Sequence, residues 1–396
     1  MLNRLTQQPP DALLALIKLY NADSAADKID LGVGVYRTED GGTPVFGAIK
    51  AAERLLVERQ DSKSYLGPEG DMGFVHALMP HIFGADTTAG TTGFGARVEG
   101  MQTPGGTGAV RLALALAKRA GVTRVLMGTP SWPNHAQIVA DLGMELVGFR
   151  HATAEGVADI DALLTALAGA GEGAAVLLHG CCHNPTGIDY SPAEWDRIAA
   201  TLAAGAVLPI VDLAYQGLGL GLAEDAYGAR AVLAAVPEAL LAYSCDKNFG
   251  LYRDRVGALY MQAADEDALA RTVSNGHALA RANWSMPPDH GGAAVRLVLE
   301  DAALTEQWIA ELDAMRARIR QVRDAMGAAG MAGTVDLAPY ARQQGMFAML
   351  PLRGEQILRL RSEHAIYMAG SGRINVAGLT PGNIGKFTAA LAAVTG

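Results

Sequence analysis

Short apolar runs alternate with amphipathic helical stretches along most of this chain, and that alternation does most to constrain its fold. The runs Arg124–Met127, Ala175–His179, Val207–Asp212, Leu240–Ser244 and Ala258–Met261 are too short for helices and almost continuously apolar. Strands buried on both faces of a parallel sheet read this way. Helical stretches separate most of them, which is the pattern of an α/β fold around a largely parallel sheet. At 396 residues the chain exceeds what one core usually supports, so two domains are expected. Hydrophobic residues make up 50% and aromatics 6%, with alanine and glycine abundant. That composition fits close helix-on-sheet packing and argues against disorder.

The two ends read differently from the middle. Pro9-Pro10-Asp11 precedes an apolar helix signal over Ala12–Tyr20, leaving residues 1–10 as an extended arm. Asp40-Gly41-Gly42-Thr43-Pro44 is a turn. From Thr305 onward, Trp308, Leu312, Met315, Ile319, Val322 and Met326 mark one face of a long helix, which the glycine-alanine stretch Gly327–Gly333 ends. Strand candidates near Met346–Leu350 and Ile374–Ala377 belong to a smaller α+β segment. The predicted organisation is an arm (1–10), a small domain begun by 11–43, a large domain (44–312), and a return to the small domain over 313–396.

Several classes are disfavoured. No apolar run approaches the length needed to cross a bilayer, and the Leu13–Ile17 patch is broken by Lys18, unlike a signal peptide. Three cysteines, two of them adjacent, are no disulfide framework; a reducing, cytoplasmic setting is expected. A net charge of −9 disfavours nucleic acid as a partner, while leaving room for a locally cationic pocket.

Ligands of parallel sheets bind beyond the carboxyl ends of the strands, so the residues that follow the apolar runs carry the functional weight. After Ala239–Tyr243 comes Ser244-Cys245-Asp246-Lys247-Asn248-Phe249-Gly250-Leu251-Tyr252-Arg253-Asp254-Arg255. A lysine among apolar neighbours and near other cations has a lowered pKa and becomes a usable amine nucleophile. Ser244 and Arg255 are the donors a phosphate wants. Together they point to a Schiff base with a phosphorylated aldehyde, which pyridoxal phosphate offers. Thr103-Pro104-Gly105-Gly106-Thr107-Gly108 opens a helix reaching about Ala120, and a helix start with close-approach glycines binds phosphate; an ordinary glycine-capped helix start fits it equally. His179-Gly180-Cys181-Cys182-His183-Asn184-Pro185 ends another run. Its Cys/Cys/His cluster invites zinc, but adjacent cysteines do not easily both reach one tetrahedral metal and no second pair exists. Asn184-Pro185 reads better as a turn aiming an amide into a cleft, with a structural turn as the rival. Asp212 closes a buried run and needs a partner, either a protonated pyridine nitrogen or the start of the next helix, and Tyr215 follows it. Arg373, at the start of a late strand, is a fork for a carboxylate or a surface ion pair.

These segments, with Leu31-Gly32-Val33-Gly34-Val35-Tyr36, Tyr65-Leu66-Gly67, Ser131-Trp132-Pro133-Asn134-His135, Arg281, Ser285, Pro287-Pro288 and Ser371–Gly378, follow one order over nearly the whole chain. The chain resembles the fold-type I, class I aminotransferases that use pyridoxal phosphate, specifically the aspartate/aromatic group. The resemblance implies a large domain around a mostly parallel sheet and a smaller α+β domain. It implies Lys247 as the Schiff-base lysine and proton carrier, and Asp212 on the pyridine nitrogen with His135 behind it. Asn184 and Tyr215 would bond the ring hydroxyl, and Trp132 would lie against the ring. Gly106, Thr107, Ser244 and Arg255 would hold the phosphate, helped by Tyr65 from a second subunit. Arg373 would take the substrate α-carboxylate with Gly34 and Asn184, Arg281 of the neighbouring subunit a distal carboxylate, and Phe347 would border the pocket. No metal is implied. The expected partners are amino acids and 2-oxo acids, in an obligate homodimer with shared sites. The expected reaction moves an amino group from an aromatic amino acid or aspartate to 2-oxoglutarate in ping-pong fashion, with strict aspartate specificity as the alternative.

Two positions depart from the family pattern. Asp246 stands where many relatives carry serine; phosphate would repel it, so it is expected to turn toward Arg253 or Arg255, leaving the cup one donor short. Met286 stands where strict aspartate enzymes tend to place asparagine, which favours tolerance of aromatic substrates. A non-catalytic regulator on this fold would need a DNA-binding segment, which no extension before residue 11 supplies. A lysine aldolase would need no phosphate cup, and would show eight strand–helix repeats.

Overall fold

A computed structural model describes residues 1–7, 12–84 and 95–396. The helix entry at Pro9-Pro10-Asp11 lies outside them. The chain divides into two compact units, one of residues 44–184 and 188–318, the other of 1–43, 185–187 and 319–396. The division after Arg318 falls six residues beyond the boundary read from the sequence, inside a helix spanning Ala302–Ala328.

The larger unit is built on a seven-stranded sheet. In chain order the strands are β1 (Val98–Pro104), β2 (Arg124–Thr129), β3 (Glu145–Arg150), β4 (Ala174–His179), β5 (Leu208–Leu213), β6 (Ala239–Ser244) and β7 (Val256–Gln262). Their spatial order is β1-β7-β6-β5-β4-β2-β3. All the neighbours from β6 to β3 pair in parallel, while β7 runs antiparallel to both β6 and β1. Every residue of β6 and β7 is buried, which is why they read as unbroken apolar runs. Helix α1 (Gly105–Arg119) packs on the sheet through Ala109, Val110, Leu112, Ala113, Leu114, Leu116 and Ala117. Helix α2 (Pro133–Asp141) follows β2, with Pro133 in its first turn, where a missing N–H costs nothing.

Register brings the carboxyl ends of the strands into line. His179 of β4 pairs with Asp212 of β5. On the reversed strand, Gly257 is flanked by Ser244 of β6 and Thr103 of β1. The segment 245–255 is therefore the connection of an antiparallel pair, with a phosphate-binding candidate at each foot.

In the smaller unit, Ile29–Asp30 pairs in parallel with Ile366–Tyr367. Strands β8 (Phe347–Met349) and β9 (Arg373–Asn375) pair antiparallel, with Met349 opposite Arg373. Arg323 is 1% exposed and ties this unit together. It donates to the carbonyls of Gly345, Tyr340, Gln344 and Phe347 and to Gln343 Oε1.

Candidate active site

The lysine segment of the larger unit is braced from below. Phe249 stacks on Trp308 with ring centroids 4.4 Å apart, and the indole N–H of Trp308 donates to the Asn248 carbonyl at 2.7 Å. Asn248 Nδ2 donates to the Tyr243 hydroxyl at 2.9 Å, which in turn donates to Gln216 Oε1 at 2.8 Å. Each of these side chains is buried, so the bonds replace water that cannot reach them. The result is a fixed platform for Lys247. Its amine lies 5.0 Å from the centre of the Tyr215 ring. Burial lowers the Lys247 pKa below the ordinary lysine value; Asp246 and Asp212 oppose this, and Arg255 adds to it.

Asp212 is 5% exposed at the end of β5. Its Oδ2 lies 2.8 Å from His135 Nε2, while its Oδ1 is buried and without a hydrogen-bond partner among the described residues. A carboxylate oxygen accepts, so His135 donates to it from Nε2, and His135 Nδ1 lies 3.2 Å from Ser131 Oγ. Ser131 Oγ in turn lies 3.1 Å from His179 Nε2. His179 tilts against His183, which stacks on His151 with centroids 3.5 Å apart. Burial pushes His179 and His183 well below the usual histidine range and His151 down to about 4. All three are therefore neutral spacers at pH 7. Of this array the sequence points to His135 and, in a zinc reading, His183; Ser131 and His179 stand in quoted motifs, one at a turn and the other at a strand end. His151 gave no signal.

Asn184 Nδ2 lies 3.3 Å from the Tyr215 hydroxyl, and its Oδ1 is a second buried acceptor with no partner among the described residues. The nearby Cys181 and Cys182 sulfurs lie within 4.8 Å of each other and of an Asp225 oxygen, closer together than their adjacency in sequence led us to expect. The Asp225 carboxylate is already engaged by the N–H groups of Gly217, Gly219 and Leu220. His183 is drawn into the histidine array instead.

The phosphate candidates also meet. Pro104 precedes α1 and supplies no side-chain cap, so the N–H groups of its first turn, which includes Gly106 and Thr107, are available to an anion. Gly105 has φ +71°, which only glycine adopts without strain. A Cβ on Gly106 would lie 2.8 Å from the Ser244 Cβ, so Ser244 borders the helix start only because that residue is glycine. Arg255 borders Gly105 through its Nη2 side. Asp246 turns to Arg255, as its charge predicts: Oδ2 lies 2.5 Å from Nη1. Trp132, before α2, meets the His135 ring edge-on at 5.0 Å.

A second cluster belongs to the smaller unit. Arg373 Nη2 donates to the Gly32 carbonyl at 2.8 Å, and its guanidinium lies 4.9 Å from the centre of the Phe347 ring. A Cβ on Gly34 would sit 3.1 Å from the same ring. Asn375, which the sequence reading quoted without a role, donates to the carbonyls of Val33 and Val35 at 2.6 and 2.7 Å and so holds the Gly34 segment. Tyr65 is 93% exposed, and Arg281 donates to Ser285 Oγ at 2.6 Å. Neither has a hydrogen bond or ion pair with the lysine cluster among the described residues.

A buried amine, a backed carboxylate and an uncapped helix start beyond the carboxyl ends of the strands accord with what the comparisons return. The family model "Aminotransferase class I and II" matches residues 26–391. The chain belongs to that family. It is an aminotransferase of the aspartate/aromatic group, and its cofactor is pyridoxal phosphate. It is 48% identical to a tyrosine aminotransferase of Rhizobium meliloti (strain 1021), over 98% of this chain and 100% of that one. It is 42% identical to an aspartate aminotransferase of Escherichia coli (strain K12), over 100% of both. A solved aromatic-amino-acid aminotransferase from Burkholderia pseudomallei, covalently bound to pyridoxal phosphate, superposes with a TM-score of 0.94 at 35% identity, covering 100% of both. The aminotransferase's own residues suit this cofactor: two buried acceptors lack donors, and an uncapped helix start meets a serine and an arginine. No helix among the described residues is long and apolar enough to cross a membrane.

Proposed function

We propose that this aminotransferase moves an amino group from aspartate or an aromatic amino acid to 2-oxoglutarate, donor and acceptor using one site in turn. The observation that carries the reading is Asp212, with one oxygen held by His135 and the other buried and open. An acceptor in that state suits a pyridinium N–H. Bound pyridoxal phosphate supplies an electron-poor ring that stabilises negative charge at the substrate's α-carbon.

The chain's residues divide the remaining work. Lys247 holds the cofactor and, once released by the substrate amine, carries the proton from the α-carbon; its lowered pKa supports the role of base. Asn184 and Tyr215 bond the ring hydroxyl, and Trp132 covers a face of the ring. Gly106, Thr107, Ser244 and Arg255 bind the phosphate. Arg373 takes the α-carboxylate with Gly34 and Asn184, and Phe347 borders the side chain. Tyr65 and Arg281 act on the site of a second subunit in a homodimer, a reading their exposure supports. Three buried cysteines outside any disulfide suit a reducing compartment such as the cytoplasm.

Dual specificity is supported by Met286, an apolar residue where strict aspartate enzymes tend to place asparagine. Relatives named for tyrosine, aspartate and aromatic amino acids all align along the full chain, which accords with it. The test is kcat/KM with 2-oxoglutarate for aspartate, phenylalanine and tyrosine, in wild type and Arg281→Ala. Aspartate should lose roughly ten- to a hundredfold, the worth of a charge-assisted bond of about 1.5–3 kcal/mol, and the aromatic donors little. Equal losses would remove Arg281 from side-chain selection. Activity with aspartate alone would establish the strict alternative.

A further inference from the structure

Asp246 is the one charged residue in the phosphate cup that has the wrong sign for it. Its side chain is 6% exposed, and it lies between Ser244 and Arg255, the cup's two side-chain donors. Its backbone N–H donates to Ser244 Oγ at 3.2 Å, and its Oδ2 takes Arg255 Nη1 at 2.5 Å. The same Nη1 also donates to the Tyr252 carbonyl at 2.9 Å, so that edge of the guanidinium is committed. What Arg255 turns toward Gly105 and the start of α1 is its Nη2 edge. Asp246 Oδ1 is buried with no hydrogen-bond partner among the described residues. A phosphate at the helix start would therefore share one guanidinium, 38% exposed, with a buried carboxylate, and solvent would screen the two anions only in part.

We infer that Asp246 is an internal anion that competes with the cofactor phosphate for Arg255 and thereby sets how tightly pyridoxal phosphate is held. This rests on the reading of Ser244, Arg255 and the start of α1 as the phosphate cup. Without phosphate, the carboxylate neutralises Arg255 and keeps it in the cup. With phosphate, it is a like charge on the same guanidinium. A neutral residue at 246 reverses both effects: the protein without cofactor loses an ion pair, and the cofactor-bound protein loses a repulsion.

The experiment measures the Kd of pyridoxal phosphate on cofactor-free protein, by its absorbance, for wild type, Asp246→Asn, Asp246→Ser and Arg255→Ala. Pyridoxal, which lacks the phosphate, is the control ligand, and inorganic phosphate is used as a competitor. Asp246→Asn and Asp246→Ser should each lower the Kd of pyridoxal phosphate about tenfold or more and tighten inorganic phosphate in parallel, while pyridoxal changes less than about threefold. Melting temperatures should show cofactor-free Asp246→Asn below wild type and a larger upward shift on adding pyridoxal phosphate. Unchanged or weaker pyridoxal phosphate binding by both folded Asp246 variants overturns the competition. If Arg255→Ala weakens pyridoxal phosphate in that case, the cup stands and only the role of Asp246 falls. If Arg255→Ala has no effect, the cup is misassigned and the inference falls with it. Equal tightening of pyridoxal and pyridoxal phosphate also overturns it, since the effect would then come from the lysine.

Discussion

Arg323 in the smaller unit and the lysine cluster in the larger one both bury polar groups, yet they finish them differently. Arg323 donates five hydrogen bonds, to four carbonyls and a glutamine oxygen, at 2.6 to 3.4 Å. Around Lys247, by contrast, Asp212, Asn184, Asp246 and Asn248 each keep one buried oxygen with no partner among the described residues. A buried polar group left unmade costs about 1–3 kcal/mol, so four around one lysine are a concentration that stability alone does not favour. The contrast is between a buried cation whose donors are spent on the fold and buried acceptors of which two, on Asp212 and Asn184, are open to the cofactor on the reading proposed above.

Three changes would break or sharpen that contrast. The largest effect is expected at Lys247. Lys247→Ala should abolish transamination, positioned proton transfer alone being worth about 10²–10⁴-fold, while pyridoxal phosphate still binds non-covalently. Single-turnover kinetics and cofactor absorbance test this together; near-normal turnover would sink the assignment. Arg323→Met comes next, and its cost should fall on folding. Stranding two or more buried carbonyls at about 1–3 kcal/mol apiece predicts a loss of about 3–5 kcal/mol in denaturant unfolding. Cofactor affinity per folded molecule should hold, and a stable variant would show that the arginine knot is dispensable.

The smallest effect concerns His151, whose folded pKa of about 4 lies below its ordinary 6.5 because burial disfavours its charge. The unfolded chain therefore binds the proton first as pH falls. Its contribution to stability is complete above pH 6.5, declines between 6.5 and 4, and is flat below. That gap corresponds to about 3 kcal/mol. His151→Phe, which keeps a ring against His183, should flatten that part of the stability–pH curve and leave the share due to His179 and His183. An unchanged slope between pH 6.5 and 4 would mean His151 is not held neutral.

The same contrast explains what could be read in advance. Strands β4 to β7 were legible because both faces are covered, so their sequences are nearly uniform in hydrophobicity. Strands β1 and β3 were missed. Edge strand β3 exposes Glu145, Leu146, Gly148 and Arg150, and edge strand β1 contains Glu99, Gly100 and Gln102, so neither gives a clean apolar run. Lys247, Asp212, Asn184 and Ser244 were legible because each follows or ends a readable strand. The histidine array was not, because His151 comes from the end of unread β3 and meets His183 only through the sheet. Asn375 was passed over for a different reason: its partners, the Val33 and Val35 carbonyls, are backbone atoms that no residue pattern reports.

The reversal of β7 has a consequence for how the site comes into being during folding. Because β6 and β7 form a hairpin, Ser244, Asp246, Lys247 and Arg255 are gathered by closing one short loop, which is fast and costs little chain entropy. The helix start at Gly105 and the carboxylate of Asp212 arrive from distant parts of the chain through slower, non-local pairings. The contact between Arg255 and Asp246 therefore needs no long-range pairing, whereas a surface that meets both ends of the cofactor does.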